Sequence, residues 1–81
     1  MYFVYVLKSL KTGRRYIGFT SKSPQERLEA HNSGVSPWTH QNRPLTLVYQ
    51  ESFSDRQKAR RREKFLKTGN GRKFLDNKIV L

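Results

Sequence analysis

Cysteine is absent from the 81 residues, which excludes disulfide frameworks, thiolate zinc sites and cysteine nucleophiles together. With only two histidines, the remaining donors for a structural zinc are few. No run approaches the roughly 20 apolar residues of a membrane helix, and Met1–Leu10 lacks the charged lead and small-residue cleavage site of a signal peptide. A cytoplasmic protein with no membrane partner is the expectation. Acidic residues are scarce too: six Asp and Glu stand against seventeen Lys and Arg, a formal net charge of +11 with a pI near 10.6. Such an imbalance opposes compaction and favours a polyanionic partner.

At 35% hydrophobic residues the chain can bury one modest core, so a single domain over residues 1–81 is expected. A mean hydropathy of −0.85 would suit a disordered chain. The aromatics argue otherwise, because one Trp, four Tyr and five Phe sit inside patterned segments instead of low-complexity tracts.

Tyr2–Leu7 and Arg15–Thr20 are rich in aromatic and β-branched residues, and Lys11-Thr12-Gly13 between them is a turn-like cluster. Together they predict a β-hairpin. Side chains alternate along a strand, so Tyr5 shares a face with Phe3 and Leu7, and Tyr16 shares one with Gly18 and Thr20. A glycine inside a strand marks a bulge or a close backbone approach, so Gly18 predicts open space above Tyr16. Ser23-Pro24-Gln25-Glu26 has the form of a capping box with proline at the first helical position, predicting a helix to about Asn32 that Gly34 terminates.

Val35–Arg43, holding Pro37, Trp38, His40 and Asn42 ahead of Pro44, is expected to be an irregular loop. Leu45–Glu51 predicts a third strand. Ser54 with Gln57 has the form of a second capping box, opening a helix from Asp55 to Thr68 that Gly69 would close. Phe74, Leu75 and Ile79 approximate a helical stripe over Asn70 to about Lys78. The resulting order is ββαβαα, an α+β fold without internal repeat or linker.

Several residues break the structural pattern. At about 100° per residue Ala59, Glu63 and Leu66 share one helix face, so a carboxylate points with apolar neighbours. Glu63 is then either a rim residue paired with Arg60 or Lys67, or a cleft residue that binds a metal ion. Arg27 and His31 are stacked on one stripe beside Leu28; Arg27 could equally pair with Glu26 or Glu29, and a helical histidine is commonly a surface or satisfied residue. Tyr5 and Tyr16, taken singly, read as core or interface residues.

The run Lys58–Lys64, followed by Lys67, Arg72 and Lys73, accounts for solubility as a solvated face, yet not for an excess of +11. Arg60, Arg61, Lys64, Lys67, Arg72 and Lys73 are the candidate nucleic-acid contacts, because guanidinium forks match phosphate oxygens. Phe65, Phe74 and Trp38 are candidates for packing on sugar or base. A basic patch leaves DNA, RNA, duplex and single strand open.

Phe3-Val4-Tyr5, Tyr16-Ile17-Gly18, Arg27, His31 and Arg62-Glu63-Lys64, in this order and spacing, resemble the GIY-YIG nuclease superfamily. The resemblance is closest to small stand-alone members related to the N-terminal domain of the excision-repair nuclease subunit UvrC, and it spans nearly the whole chain. It implies a three-stranded antiparallel sheet flanked by helices and a metal-dependent endonuclease hydrolysing DNA by in-line attack of water, with DNA repair as the broad setting. It further implies Tyr5 and Tyr16 as the motif tyrosines, one serving or assisting as general base, and Arg27 on the scissile phosphate. His31 would orient or relay a proton, and Glu63 would hold Mg²⁺ or Mn²⁺. A tyrosine of pKa about 10 is ionised in only about one molecule in a thousand at pH 7, so it needs a nearby cation to act as base. A single acidic ligand suits Mg²⁺. Two departures stand out: Phe3 replaces the first motif glycine, and Leu75 occupies the place of an asparagine carried by many family nucleases, with Asn70 and Asn77 nearby but neither fitting cleanly. A non-cleaving nucleic-acid-binding module on the same scaffold is the alternative, and an RNA partner is permitted.

Overall fold

A computed structural model describes residues 1–34 and 37–79. Its elements are β1 (Tyr2–Ser9), β2 (Arg15–Thr20), α1 (Pro24–Asn32), α2 (Pro37–Asn42), β3 (Leu45–Phe53), α3 (Arg56–Leu66) and α4 (Gly69–Lys78). The three strands form one antiparallel sheet in the order β2-β1-β3. The α+β class and the three-stranded sheet therefore agree with the sequence.

β1 is central because both of its faces are apolar. Val4 and Val6 face α3 and α4 and pack with Ala59, Leu66, Leu75 and Ile79; Tyr5 and Leu7 face α1 and α2 and pack with Leu45. Phe19 opposes Val4 and Ile17 opposes Val6, whereas Gly18 opposes Tyr5 and Tyr16 opposes Leu7. The motif tyrosines thus lie on the α1 side of the sheet. β2, at the edge, is the strand around which both layers can meet.

The hairpin turn is built by Ser9, whose Oγ accepts from the Lys11 and Thr12 amides at 3.1 and 2.9 Å. Ser23 caps α1 by accepting from the Glu26 amide at 3.1 Å, with Pro24 in the first turn, and Gly34 follows the helix at φ +82. These match the sequence reading.

Three expectations are corrected. The segment read as a loop holds α2, because tertiary bonds support a helix that its composition does not: Asn42 Nδ2 donates to the Trp38 carbonyl at 2.8 Å, and the Thr12 hydroxyl donates to Asn42 Oδ1 at 2.8 Å. Thr39 and Asn42 are buried there; Val35 and Ser36 of that segment lie outside the described residues. The cap of α3 is Asp55, not Ser54, its carboxylate accepting from the Gln57 amide at 2.9 Å. The same helix stops at Leu66, since Thr68 caps α4 instead by accepting from the Gly71 amide at 3.1 Å.

Gly69 accordingly opens α4, where it had been expected to close α3. The corner between these helices is tight. A Cβ at Gly71 would sit 2.1 Å from the Phe65 carbonyl oxygen and 2.5 Å from Leu66 Cα, so only glycine lets α4 fold back directly onto α3.

Candidate active site

Tyr5 reaches the edge of the sheet by lying across Gly18. A Cβ on Gly18 would fall 2.4 Å from both Cζ and Oη of Tyr5, so the missing side chain is the space the phenol occupies. The open space expected beside Gly18 is instead filled by Tyr5, one strand over, and β2 pairs with β1 there without a bulge. Tyr5 is 1% exposed, and its Oη lies 3.2 Å from His31 Nε2. The Tyr16 ring sits 4.7 Å from the imidazole and 5.4 Å from Trp38, centroid to centroid.

His31 is placed by its neighbour. Asn32 donates from Nδ2 to the Leu45 carbonyl at 3.0 Å and accepts from the Leu45 amide at 2.7 Å, docking the end of α1 onto the start of β3. The imidazole is buried, and among the described residues its Nδ1 has no hydrogen-bond partner. A buried N–H left without an acceptor costs more than a bare lone pair, so the favoured tautomer carries its proton on Nε2 and donates to Tyr5 Oη. Burial, reinforced by Arg27, lowers the pKa of His31 below the ordinary imidazole value, which keeps it neutral near pH 7. His31 is therefore not a surface residue but a buried one, satisfied at Nε2 by Tyr5.

Arg27 lies half-buried and lines the cleft with Tyr5, its guanidinium near enough to favour the ionised phenol. It forms no ion pair with Glu26 or Glu29, both exposed. Burial raises the pKa of Tyr5 above its usual value, opposed by the Arg27 guanidinium and reinforced by the charges of Tyr16 and Glu63. The phenol is therefore protonated in the protein alone.

An open cleft of about 870 Å³ wraps the free edge of β2, and Tyr5, Tyr16, Arg27 and Glu63 all line it. Glu63 pairs with its helix neighbours and also faces the cleft. Its side chain is 14% exposed and lies 3.2 Å from Lys67 Nζ and 3.8 Å from Arg60. Ala59 and Leu66 on the same helix face are fully buried, as the projection requires. Five residues far apart in sequence thus surround one place, four on the cleft wall and His31 directly behind Tyr5.

The family model for the GIY-YIG catalytic domain matches residues 1–77. The chain belongs to the GIY-YIG family. It is 40% identical over 68 residues to a UPF0213 protein of Staphylococcus haemolyticus, covering 83% of this chain and 80% of that one. A UPF0213 protein of Staphylococcus saprophyticus is 36% identical over 75 residues, covering 91% and 89%, and one of Staphylococcus aureus is 37% identical with the same coverage. No solved structure matches the chain. Membership places the chain in a nuclease superfamily with nucleic acid as the substrate class. No helix among the described residues is long and apolar enough to cross a membrane.

The basic candidates divide. Arg60, Lys67 and Arg72 line the cleft of this GIY-YIG domain, whereas Arg61, Lys64 and Lys73 are exposed outside it. Arg62, inside the third motif, points away: it makes a bidentate pair with Glu51 at 2.9 and 3.1 Å and lies over Phe74 and Phe65, tying α3 to β3. Phe74 is taken up by that packing and by an edge contact with Tyr49, and Trp38 by Tyr16.

Sequence reasoning missed Lys8, Arg14, Arg15 and Asp76, which also line the cleft, with Arg15 and Asp76 paired at 2.8 Å across it. The Arg14-Arg15 pair just after the turn glycine was the available signal. Leu75, at the place of the family asparagine, is fully buried, and Asn70 and Asn77 are both exposed outside the cleft lining.

Proposed function

We propose that this chain is a divalent-metal-dependent endonuclease that hydrolyses phosphodiester bonds in DNA. The observation that carries the reading is the convergence of Tyr5, Tyr16, Arg27 and Glu63 on one cleft, with His31 bonded to Tyr5 from behind. In-line attack of water on phosphorus places new negative charge on the equatorial oxygens. Arg27 is the cation to meet it, its fork matching two phosphate oxygens. Tyr5 and Tyr16 take or orient the proton of the attacking water, and the Nε2–H of His31 stabilises the Tyr5 oxygen as it gains charge. Because burial raises the pKa of Tyr5, a cation held near Glu63 would favour loss of the phenol proton to bulk water, after which the oxygen could accept the proton of the attacking water.

Among the described residues no group of three or more His, Cys, Asp and Glu comes together, and the cleft wall offers two carboxylates, Glu63 and the Arg15-bound Asp76. That suits Mg²⁺ or Mn²⁺, which complete their shells with water and substrate phosphate oxygens. Bound at Glu63, such an ion would supply charge neutralisation at the leaving oxygen. Lys67 and Arg60 hold the carboxylate in place meanwhile.

One observation favours a non-cleaving nucleic-acid binder, namely the buried Leu75 where many family nucleases carry an asparagine. A cleavage screen decides between the readings. Duplex, nicked, flapped and branched DNA, with RNA counterparts, are incubated with Mg²⁺ or Mn²⁺ and either the protein or its Glu63→Ala variant. Product from the protein and none from the variant, with binding retained, supports hydrolysis. Equal product from both identifies a contaminant, no product from any substrate leaves the binder, and cutting confined to RNA replaces the substrate.

A further inference from the structure

The α3 wall of the cleft carries a second constellation that the hydrolytic chemistry leaves unused. Phe19 of β2 is half-buried, its ring stacked on Tyr2 at 6.0 Å with 11° between the planes. Over the Phe19 ring stand two guanidiniums of α3, Arg60 at 5.1 Å and Arg56 at 5.9 Å from the centroid. Phe19 and Arg60 line the cleft, and Arg56 is exposed and in no ion pair among the described residues.

For folding alone this placement is unfavourable. Like charges four residues apart on a helix repel. A cation in the first turn opposes the helix macrodipole, and the acid at that end of α3 is its cap, Asp55, whose carboxylate is engaged by the Gln57 amide. The aromatic face recovers part of that cost by cation–π attraction. It also restricts the two side chains while leaving donor edges exposed, that of Arg56 outside any ion pair among the described residues and that of Arg60 beyond the one nitrogen, Nη1, that lies 3.8 Å from Glu63. Two cations restrained on one aromatic face, continuous with the cleft through Arg60, form a site for an anion with several acceptor oxygens.

We propose that Arg56 and Arg60, held against Phe19, bind a DNA backbone phosphate flanking the scissile one. This rests on the nucleic-acid reading of the same cleft, in which Arg27 meets the reacting phosphate. The pair fixes the register of the strand, so it strengthens binding without regard to base sequence.

The test is equilibrium binding of the full chain to a short labelled duplex DNA over a salt series, with a chelator present so that nothing is cut. Arg56→Ala weakens binding roughly tenfold, as loss of a charge-assisted bond requires, and lowers the slope of log K against log salt by about 0.9. Phe19→Leu removes no charge and weakens binding as well. Lys58→Ala, which takes the same charge from an exposed residue of the same helix without an aromatic contact, changes it far less. Equal losses in Arg56→Ala and Lys58→Ala would show that net charge alone acts, and unaltered affinity in a folded Phe19→Leu would show that the platform does nothing; either overturns the proposal. Should Phe19→Leu not fold by circular dichroism, the comparison of the two exposed cations decides alone. A protein that binds with these differences yet cuts no substrate overturns the hydrolytic reading and leaves the pair standing, whereas one that binds no DNA overturns both.

Discussion

Replacing Gly18 with alanine sets a methyl group against the Tyr5 phenol. The new Cβ would lie 2.4 Å from Cζ and Oη and 2.9 Å from Cε2, well inside contact distance. Tyr5 cannot swing away cheaply, because it is 1% exposed and packed with Leu7, Leu45 and Tyr16. Overpacking of a filled core costs about 1–3 kcal/mol, and each kcal/mol lowers the melting temperature of a domain this size by about 4–8 °C. The ring must move by about an ångström to relieve the contact, which parts Oη from His31 Nε2, and a misplacement of that size costs roughly 10²-fold in rate. Thermal unfolding and a cleavage assay below the lowered midpoint read the two effects separately. In a double-mutant cycle, Tyr5→Ala empties the disputed space, so adding Gly18→Ala to it destabilises by no more than about 0.5 kcal/mol. A folded Gly18→Ala with unchanged midpoint and full activity would refute the argument that the motif glycine exists to admit this tyrosine.

Other consequences are as direct. Gly71→Ala meets backbone at 2.1 Å, which cannot rotate aside, so it destabilises by more than Gly18→Ala, with α4 undocking as seen by hydrogen exchange. Glu51→Gln removes the bidentate anchor of Arg62 and lowers stability by about 1–3 kcal/mol, measured by urea unfolding. Because the folded pKa of His31 lies below its unfolded value of about 6.5, the unfolded chain binds more protons in that window; stability is intact near pH 7 and falls as pH drops through about 6.5 towards the folded value. His31→Gln flattens that part of the melting-temperature profile. With Tyr5 raised in pKa in the free protein, kcat/KM for cleavage rises with pH from neutrality, and Tyr5→Phe removes the rise.

Local chemistry explains which parts of the molecule could be read without coordinates. Strands β1 and β2, the Ser23 cap and the turn at Lys11-Thr12-Gly13 depend on neighbours within a few residues, and all stand where their residues imply. α2 depends on Thr12 bonding Asn42 from across the chain, which no local pattern encodes. Ser54 and Asp55 are both capable caps, and only the position of Gln57 against the finished helix selects the second. The Asn-Gly pair at 70–71 has the composition of a turn, but Gly71 is required by the approach of the Phe65 carbonyl and so belongs to a helix. The candidate site was legible as a set of residue types in order. Its electrostatic surroundings were not: the hairpin cations Lys8, Arg14 and Arg15 join the cleft only because β2 is an edge strand, which is a property of sheet order.

The two layers around the sheet divide the chemistry between them. On the α1 side, burial dominates: Tyr5 and His31 are held neutral, one by a raised and the other by a lowered pKa, and their shared hydrogen bond fixes the phenol. On the α3 side charge dominates, with Glu63 set between Arg60 and Lys67. Burial alone would make Tyr5 a poor base, and exposure alone would leave it unoriented. Gly18 resolves the conflict geometrically, since it lets a phenol anchored in the dry layer present its oxygen at the wet edge of β2, where Arg27 already stands. With both groups neutral the phenol stays protonated in the free protein, so the proposed hydrolysis requires a cation beside Tyr5 before that oxygen can take a proton from the attacking water.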